Sequence, residues 1–340
     1  MKGWVVLVFL VGMVCLWPWV LRAQEGGVVE GRIINGTAGG TVPPDLPVTL
    51  EVVRQRTLVD MRTATAGADG AFRFEGVPQG RDLAYLVSTS YQGVVYSAVA
   101  QGAQAWEQPI PLPIYEKTSG VEGVRVPSMT LVATGADARR RVLEFLHAVQ
   151  VENSTDRTAV PDMQRLPRGV LRFGLPAEAQ NLDVAATLPP GGEVVQGEQG
   201  FALTSAVPPG RYEVLYTYRV VYRGDALDFT LPVPLGAGVV RLMLPEDLAQ
   251  VESPHLQGLE PATVGGRVYR LLEARGVPAG EVVSFRLVGL PQPPWFLAVV
   301  DTVSRPPWVV VVPGGVLGAV LLGVLVWAVR RSPQSPAGEG

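Results

Sequence analysis

Cysteine is almost absent from this 340-residue chain: Cys15 is the only one, and none occurs from Gln24 onward. A body without disulfides must be held by ordinary apolar cores. The same absence excludes thiol oxidoreduction, cysteine-ligated iron–sulfur clusters and covalent c-type haem. Lysine is nearly as scarce, with Lys2 and Lys117 alone, so arginine makes up the rest of the 28 basic residues. With a net charge of −3 and no long basic stripe, nothing points to nucleic acid as a partner. His147 and His255 are the only histidines, far apart in sequence and without the spacing of zinc ligands. No G-x-S-x-G or S-x-x-K motif marks a nucleophile. The aspartates at 60, 69, 137, 156, 162, 225 and 228 are scattered, and none forms an EF-hand loop. No catalytic residue, metal ligand or cofactor is assigned, and the chain reads as something other than an enzyme.

What the chain does have is an apolar segment at each end. Lys2 precedes an apolar run over 4–16, followed by Trp17-Pro18-Trp19-Val20-Leu21-Arg22-Ala23. A positive leader, an apolar stretch and a small residue before Gln24 make 1–23 a secretory signal peptide. Leu21 is bulky for that offset, which leaves an uncleaved N-terminal anchor as the alternative. At the other end, 308–329 carries no charge and Arg330-Arg331 follows at once. About 20 apolar residues at ~1.5 Å each cross the hydrocarbon of a bilayer. Trp308 and Trp327 fall near its two interfaces, and the arginines place the tail, 330–340, in the cytoplasm. The expected topology is a single-pass protein of the cell membrane with its N-terminal domains extracytoplasmic.

Between the two ends the sequence reads as strands. From Arg211 onward, Tyr212, Val214, Tyr216, Tyr218, Val220 and Tyr222 alternate with Glu213, Thr217 and Arg219. Period two with aromatic and β-branched residues is the strand signal. Similar runs occur at 28–34, 47–53, 71–74, 84–88, 170–175, 226–231, 239–244 and 282–288. The stretch 139–153 fits a helical face as well as a strand. Alternation of Leu143, Phe145, Val149 and Val151 ahead of Asn153-Ser154-Thr155-Asp156 favours a strand. A turn recurs three times, as Val77-Pro78-Gln79-Gly80, Val207-Pro208-Pro209-Gly210 and Val277-Pro278-Ala279-Gly280. Pro in second place and Gly in fourth suit a type I turn.

The first of these units carries a resemblance. Gly31-Arg32-Ile33-Ile34-Asn35-Gly36-Thr37, then Leu46-Pro47-Val48-Thr49-Leu50, then Asp69-Gly70-Ala71-Phe72-Arg73-Phe74 and Gly76-Val77-Pro78 resemble the carboxypeptidase regulatory-like domain. The resemblance implies a prealbumin-like sandwich, also grouped with carbohydrate-binding-like folds, over 24–101. Asp69-Gly70 reads as a hairpin turn, and 54–68 as a long linker between strands. The Pro- and Gln-rich stretch 102–123 reads as an interdomain linker. Residues 124–250 resemble the Ig-like sandwich that follows such a module in bacterial envelope proteins. Residues 251–305 form a small β region, either a third unit or extra strands of the second. The expected fold class is thus all-β, tandem sandwiches with one C-terminal transmembrane helix.

The functional expectation is a binding or scaffold protein that engages another envelope protein or polymer from the outer face of the bilayer. An alternative is a carbohydrate-binding surface module, for which Tyr91, Tyr96 and Trp106 are the candidate contacts, because ring faces stack on apolar sugar faces. A membrane-tethered hydrolase is the third reading. Asn35-Gly36-Thr37 and Asn153-Ser154-Thr155 match the glycan acceptor pattern. Arg139-Arg140-Arg141 is a basic cluster suited to solvent, lipid headgroups or an acidic partner.

Overall fold

Alternating apolar and polar residues translate into extended chain through nearly the whole body. The computed structural model describes residues 26–165 and 169–293. The expected leader, 1–23, the expected span, 308–329, and the tail lie outside them. Among the described residues no helix is long and apolar enough to cross a membrane. The chain divides into two units. Met1–Ile34, Val42–Thr89 and Ser97–Leu112 form the first, and Asn35–Thr41, Ser90–Tyr96 and Pro113–Gly340 form the second.

The first eight elements are β1 (Gly27–Asn35), β2 (Pro47–Arg54), β3 (Thr57–Thr65), β4 (Ala71–Val77), β5 (Leu83–Tyr91), β6 (Val94–Gln101), the short helix α1 (Gln104–Glu107) and β7 (Ile110–Ile114). They make one sheet in the order β3-β2-β5-β6 and another in the order β4-β1-β7. Val48, Leu50 and Val52 of β2, Tyr85 and Val87 of β5, and Phe72 and Phe74 of β4 are all buried. These are alternate positions on each strand, so each sheet turns one face into the core. Three expectations change here. The stretch 54–68, expected as a linker, contains β3. Gln55 and Arg56 both take positive φ, 46° and 72°, and close a two-residue hairpin between Arg54 and Thr57. Asp69-Gly70 does not close a hairpin, because β3 and β4 belong to different sheets and the turn carries the chain from one to the other. The stretch 102–123, expected as a linker, contains α1, β7 and a further short strand, and β7 supplies an edge of the three-stranded sheet.

The second unit continues with β8 (Lys117–Ser119), β9 (Val124–Asp137), β10 (Val142–Asn153), β11 (Thr158–Val160), β12 (Leu171–Gly174), β13 (Ala179–Ala186), β14 (Val194–Gly197), β15 (Gly200–Leu203), β16 (Gly210–Val221), β17 (Ala226–Val233), β18 (Ala237–Pro245), β19 (Gln250–Glu252), β20 (Gln257–Val264), β21 (Arg267–Val277) and β22 (Glu281–Val288). Its main sheet has seven strands in the order β13-β16-β10-β9-β18-β21-β20. Two three-stranded sheets, β12-β15-β14 and β17-β22-β19, share one apolar core with it. That core contains Leu131, Leu143, Phe145, Val149, Phe173, Phe201, Tyr216, Tyr218, Phe229 and Phe285. A smaller cluster of Val132, Leu146, Met243, Tyr269 and Leu271 covers part of the opposite face of the main sheet.

The all-β expectation holds, in a β-sandwich-like arrangement of several sheets. Of the ambiguous stretch 139–153, Val142–Asn153 is a strand, β10, paired over its whole length with β16, and 139–141 belong to the turn before it. Residues 251–293 supply β20 and β21 to the main sheet and β22 to a smaller one, so they complete the second unit. At the third Val-Pro-x-Gly site the turn is displaced by one residue. Glu281 N–H donates to Pro278 O at 3.2 Å, and Gly280 has φ 85°. Gly at the third turn position with positive φ is type II chemistry, not the expected type I.

Candidate functional site

Of the aromatic residues singled out in the sequence, Tyr91 and Tyr96 are buried and Trp106 is half-buried. Tyr91 is 9 % exposed and its hydroxyl donates to a carboxylate oxygen of Glu116 at 2.7 Å. Burial and the adjoining Glu116 carboxylate both raise its pKa. Tyr96 is 4 % exposed, with its hydroxyl within 2.7 Å of Thr158 Oγ1 and donating to Tyr115 O at 2.9 Å. Trp106, on α1, packs edge-on against the buried ring of Tyr85, with centroids 5.7 Å apart. Tyr91 and Tyr96 belong to the second unit and Trp106 to the first. The two tyrosine rings therefore fill interior space instead of offering an open stacking face. The acceptor-pattern asparagines are also engaged. Asn153 is buried and donates to Arg157 O and Val207 O, both at 2.8 Å, while Asn35 donates to Thr41 O and to Glu116.

His147 lies in the middle of β10 with no exposed surface. Its ring stacks on Tyr216 across the strand pair, centroids 4.4 Å apart, and its Nε2 lies 2.8 Å from the Tyr218 hydroxyl. Burial pushes its pKa down to about 3, so it is neutral in the fold. His255 is exposed, between β19 and β20. Among the described residues, no three His, Cys, Asp or Glu side chains converge as a metal-binding set.

The concave feature with convergent polar groups lies elsewhere, along the edge of the main sheet. β20 pairs with β21 from Val264↔Arg267 as far as Gln257↔Glu273, and there it begins. Ala274–Val277 of β21 still pairs with β18 on the other side, through Val240↔Ala274 and Ala237↔Val277. On the β20 side this last stretch has no strand beside it among the described residues. A groove of about 540 Å³ runs along that vacant edge. Gln257 and Leu259 border one end, Pro278, Glu281 and Val283 close the far wall, and His255 stands at the rim.

The floor of the groove is anchored by a buried carboxylate. Glu273 is almost wholly enclosed and accepts from Arg241 Nη2 at 2.6 Å and from Arg275 Nε at 2.5 Å. Burial raises its pKa, but bonds and charge from Arg241 and Arg275 outweigh that, and the net direction is downward. Glu273 thus stays ionised. Arg275 is 79 % exposed and presents its remaining donors to the groove. Sequence reading missed this site, because its residues are separated in the chain and join only through the register of β18, β20 and β21. The one available signal was the strand alternation over 267–277, interrupted by the polar Glu273.

No family model and no curated protein matches the sequence. Among solved structures, the chain overlaps a two-domain M1 zinc metallopeptidase bound to L-tryptophan, at 13 % identity and a TM-score of 0.31, over 50 % of this chain and 44 % of that one. An M1 zinc metallopeptidase from Deinococcus radiodurans overlaps at 14 % identity and a TM-score of 0.30, over 50 % and 43 %. The chain thus spans less than half the length of these enzymes, and overlap at this level assigns it neither a fold family nor an activity.

Proposed function

We propose that this chain is a membrane-anchored, extracytoplasmic binding and scaffold protein that holds an extended segment of another envelope protein. The first unit is read as a prealbumin-like, carboxypeptidase regulatory-like sandwich and the second as an Ig-like one. The apolar segment at 308–329 is read as the anchor. The observation that carries the proposal is the vacant edge of β21 at Ala274–Val277, bordered by a groove. A strand that stops short leaves backbone donors and acceptors open to an incoming chain, the basis of recognition by strand addition. Arg275, Glu281, Gln257 and His255 provide side-chain discrimination around that backbone.

The test is site-specific photocrosslinking in native membranes, with the photoreactive residue at Leu259 or at Val282 on the groove wall. One envelope protein is expected to be captured from both positions and lost on Glu281→Arg, which leaves the fold's melting temperature unchanged. Capture that survives Glu281→Arg, or that occurs equally from Thr63 in the first unit, removes the groove as the binding site.

A further inference from the structure

The β9–β10 corner concentrates exposed positive charge at one end of the main sheet. Asp137 pairs with Val142, so the residues between them, Ala138-Arg139-Arg140-Arg141, form a four-residue turn. All three arginines are exposed. Arg141 closes the turn with φ 54°, a left-handed conformation that Gly or Asn would adopt at lower energy. A charged residue thus stands where backbone conformation favours a small neutral one. Asp137 turns inward on this corner: its Oδ1 accepts the Arg139 and Arg140 amides, and its Oδ2 lies 3.8 Å from Arg140 Nε. Arg139 and Arg141 have no carboxylate partner among the described residues, and neither does the exposed Arg223 beyond β16.

The last described residues, up to 293, also lie at this corner. Tyr222 N–H donates to Arg141 O at 2.9 Å, and the Tyr222 hydroxyl donates to Pro291 O at 2.5 Å. Leu290 N–H donates to Asp225 O at 2.8 Å, and the Gln292 side-chain amide donates to Gly224 O. The stretch Leu290-Pro291-Gln292 is therefore laced to the same turn that carries Arg223 and touches Arg141. Only 294–307 separate the last described residue from the apolar segment at 308–329. Fully extended, so short a connection reaches roughly 50 Å at most, and Arg305-Pro306-Pro307 lie at its end.

We propose that the corner of Arg139, Arg140, Arg141 and Arg223 docks on anionic lipid headgroups and sets the orientation of the second unit over the bilayer. This rests on the membrane anchoring proposed above. Guanidinium groups pair with phosphate in forked geometry, and each arginine near an anionic surface strengthens contact by roughly fivefold. Asp225 and Asp137 lie at the same end and limit the local excess of positive charge, so the contact requires anionic lipid and fades at high salt.

The experiment uses the full chain with Cys15→Ser, reconstituted into vesicles of phosphatidylcholine with or without about a third of phosphatidylglycerol. A fluorophore is placed through Ala138→Cys, or through Ala279→Cys at the opposite end of the main sheet, and headgroup spin-labelled lipid is the quencher. Quenching at position 138 but not 279 is expected, several-fold stronger with phosphatidylglycerol, reversed by high salt and lost when Arg139, Arg140 and Arg141 are all changed to Gln. Equal quenching at both positions, or quenching indifferent to lipid charge or to the arginines, overturns the docking. Alkaline carbonate extraction separates the two readings. A chain that stays in the vesicles without corner quenching loses only the docking, and a chain that is stripped off loses the anchor and the docking together.

Discussion

His147 Nε2 and the Tyr218 hydroxyl lie 2.8 Å apart inside the second unit's core, and among the described residues this is the one hydrogen bond that the imidazole makes. Among the described residues its Nδ1 has no partner, and neither does the hydroxyl of the adjoining Tyr216. A neutral ring is thus held in a place that refuses a proton. The unfolded chain takes one up below about pH 6.5, whereas the folded chain resists until about pH 3. The folded pKa is depressed, so the contribution is fully present above the unfolded value and is lost as pH falls from about 6.5 toward 3. At roughly 1.4 kcal/mol per pH unit, His147 removes about 2–3 kcal/mol of stability between pH 7 and pH 4.5. Denaturant titration of the detergent-solubilised chain at those two pH values checks this. His147→Phe is expected to flatten the acid side of the profile, and an unchanged slope in that variant would assign the loss to other groups.

Tyr216 and Tyr218 should respond in opposite ways to loss of their hydroxyls. Tyr218→Phe leaves the buried imidazole with no hydrogen bond, a change that costs about 1–3 kcal/mol. Tyr216→Phe removes a buried hydroxyl that has no partner, so it should be neutral or stabilise by up to about 1 kcal/mol. The two differ by the same single atom, so comparing their unfolding midpoints cancels most changes in packing. Equal destabilisation by both would mean that the Tyr216 hydroxyl is satisfied by an interior water.

The second strand of the first unit's opening hairpin shows what the sequence made legible and what it hid. The run 47–53 is visible because Val48, Leu50 and Val52 alternate, and all three are buried. Its partner β3 looks like a linker in the sequence, since Leu58, Val59 and Met61 sit on an edge and follow no clean period. The turn offered no Asn-Gly or Asp-Gly, because Gln55 and Arg56 take positive φ without that chemistry. β16 was legible at once, its aromatic face being wholly committed to the core. The groove was not, because strand length and register on β20 and β21 define it, and residue types on a single strand do not encode them.

Arg62 is the charge that guards this edge. It lies on the core-facing side of β3, opposite Leu50, and its guanidinium donates to Asp60 Oδ2 at 2.7 Å, Glu75 O at 2.5 Å and Gly76 O at 2.8 Å. An inward charge on an edge strand satisfies carbonyls of the facing sheet and discourages pairing with another molecule. Arg62→Ala is expected to lower stability by about 1–2 kcal/mol and to promote self-association through β3. Sedimentation velocity on the purified chain checks the association. Arg62→Ala that remains as disperse as the parent would show that this charge does not protect the edge.

Gly70 and Gly93 share nearly the same backbone conformation, with φ 80° and 81°, but differ in surroundings. A methyl on Gly70 would lie 2.5 Å from Ile33 O, the carbonyl of a residue whose own N–H donates to Gly70 O at 2.8 Å. A methyl on Gly93 meets nothing within 4 Å. Gly93→Ala therefore carries only the conformational penalty, about 1 kcal/mol, while Gly70→Ala adds the clash and should cost about 2–4 kcal/mol. Thermal unfolding of the two variants separates strain from collision, and similar shifts for both would show that the chain between β3 and β4 relaxes freely.

Glu273 ties the groove to the main sheet, and its removal separates structural from recognition roles. Its carboxylate is 4 % exposed and Arg241, directly across the β18–β21 pair, is 19 % exposed. Removing one member of an enclosed ion pair leaves the other charge desolvated, so Glu273→Ala is expected to destabilise by about 3 kcal/mol. Glu273→Gln keeps the shape and one acceptor but not the charge, and should cost about half as much. Arg275→Gln touches the same carboxylate from the solvent side, where a largely exposed guanidinium contributes within about 1 kcal/mol. If the groove takes a partner strand as proposed, Arg275→Gln reduces photocrosslinked capture with the unfolding midpoint nearly unmoved, whereas Glu273→Gln lowers both. Capture untouched by Arg275→Gln would confine recognition to the backbone of Ala274–Val277.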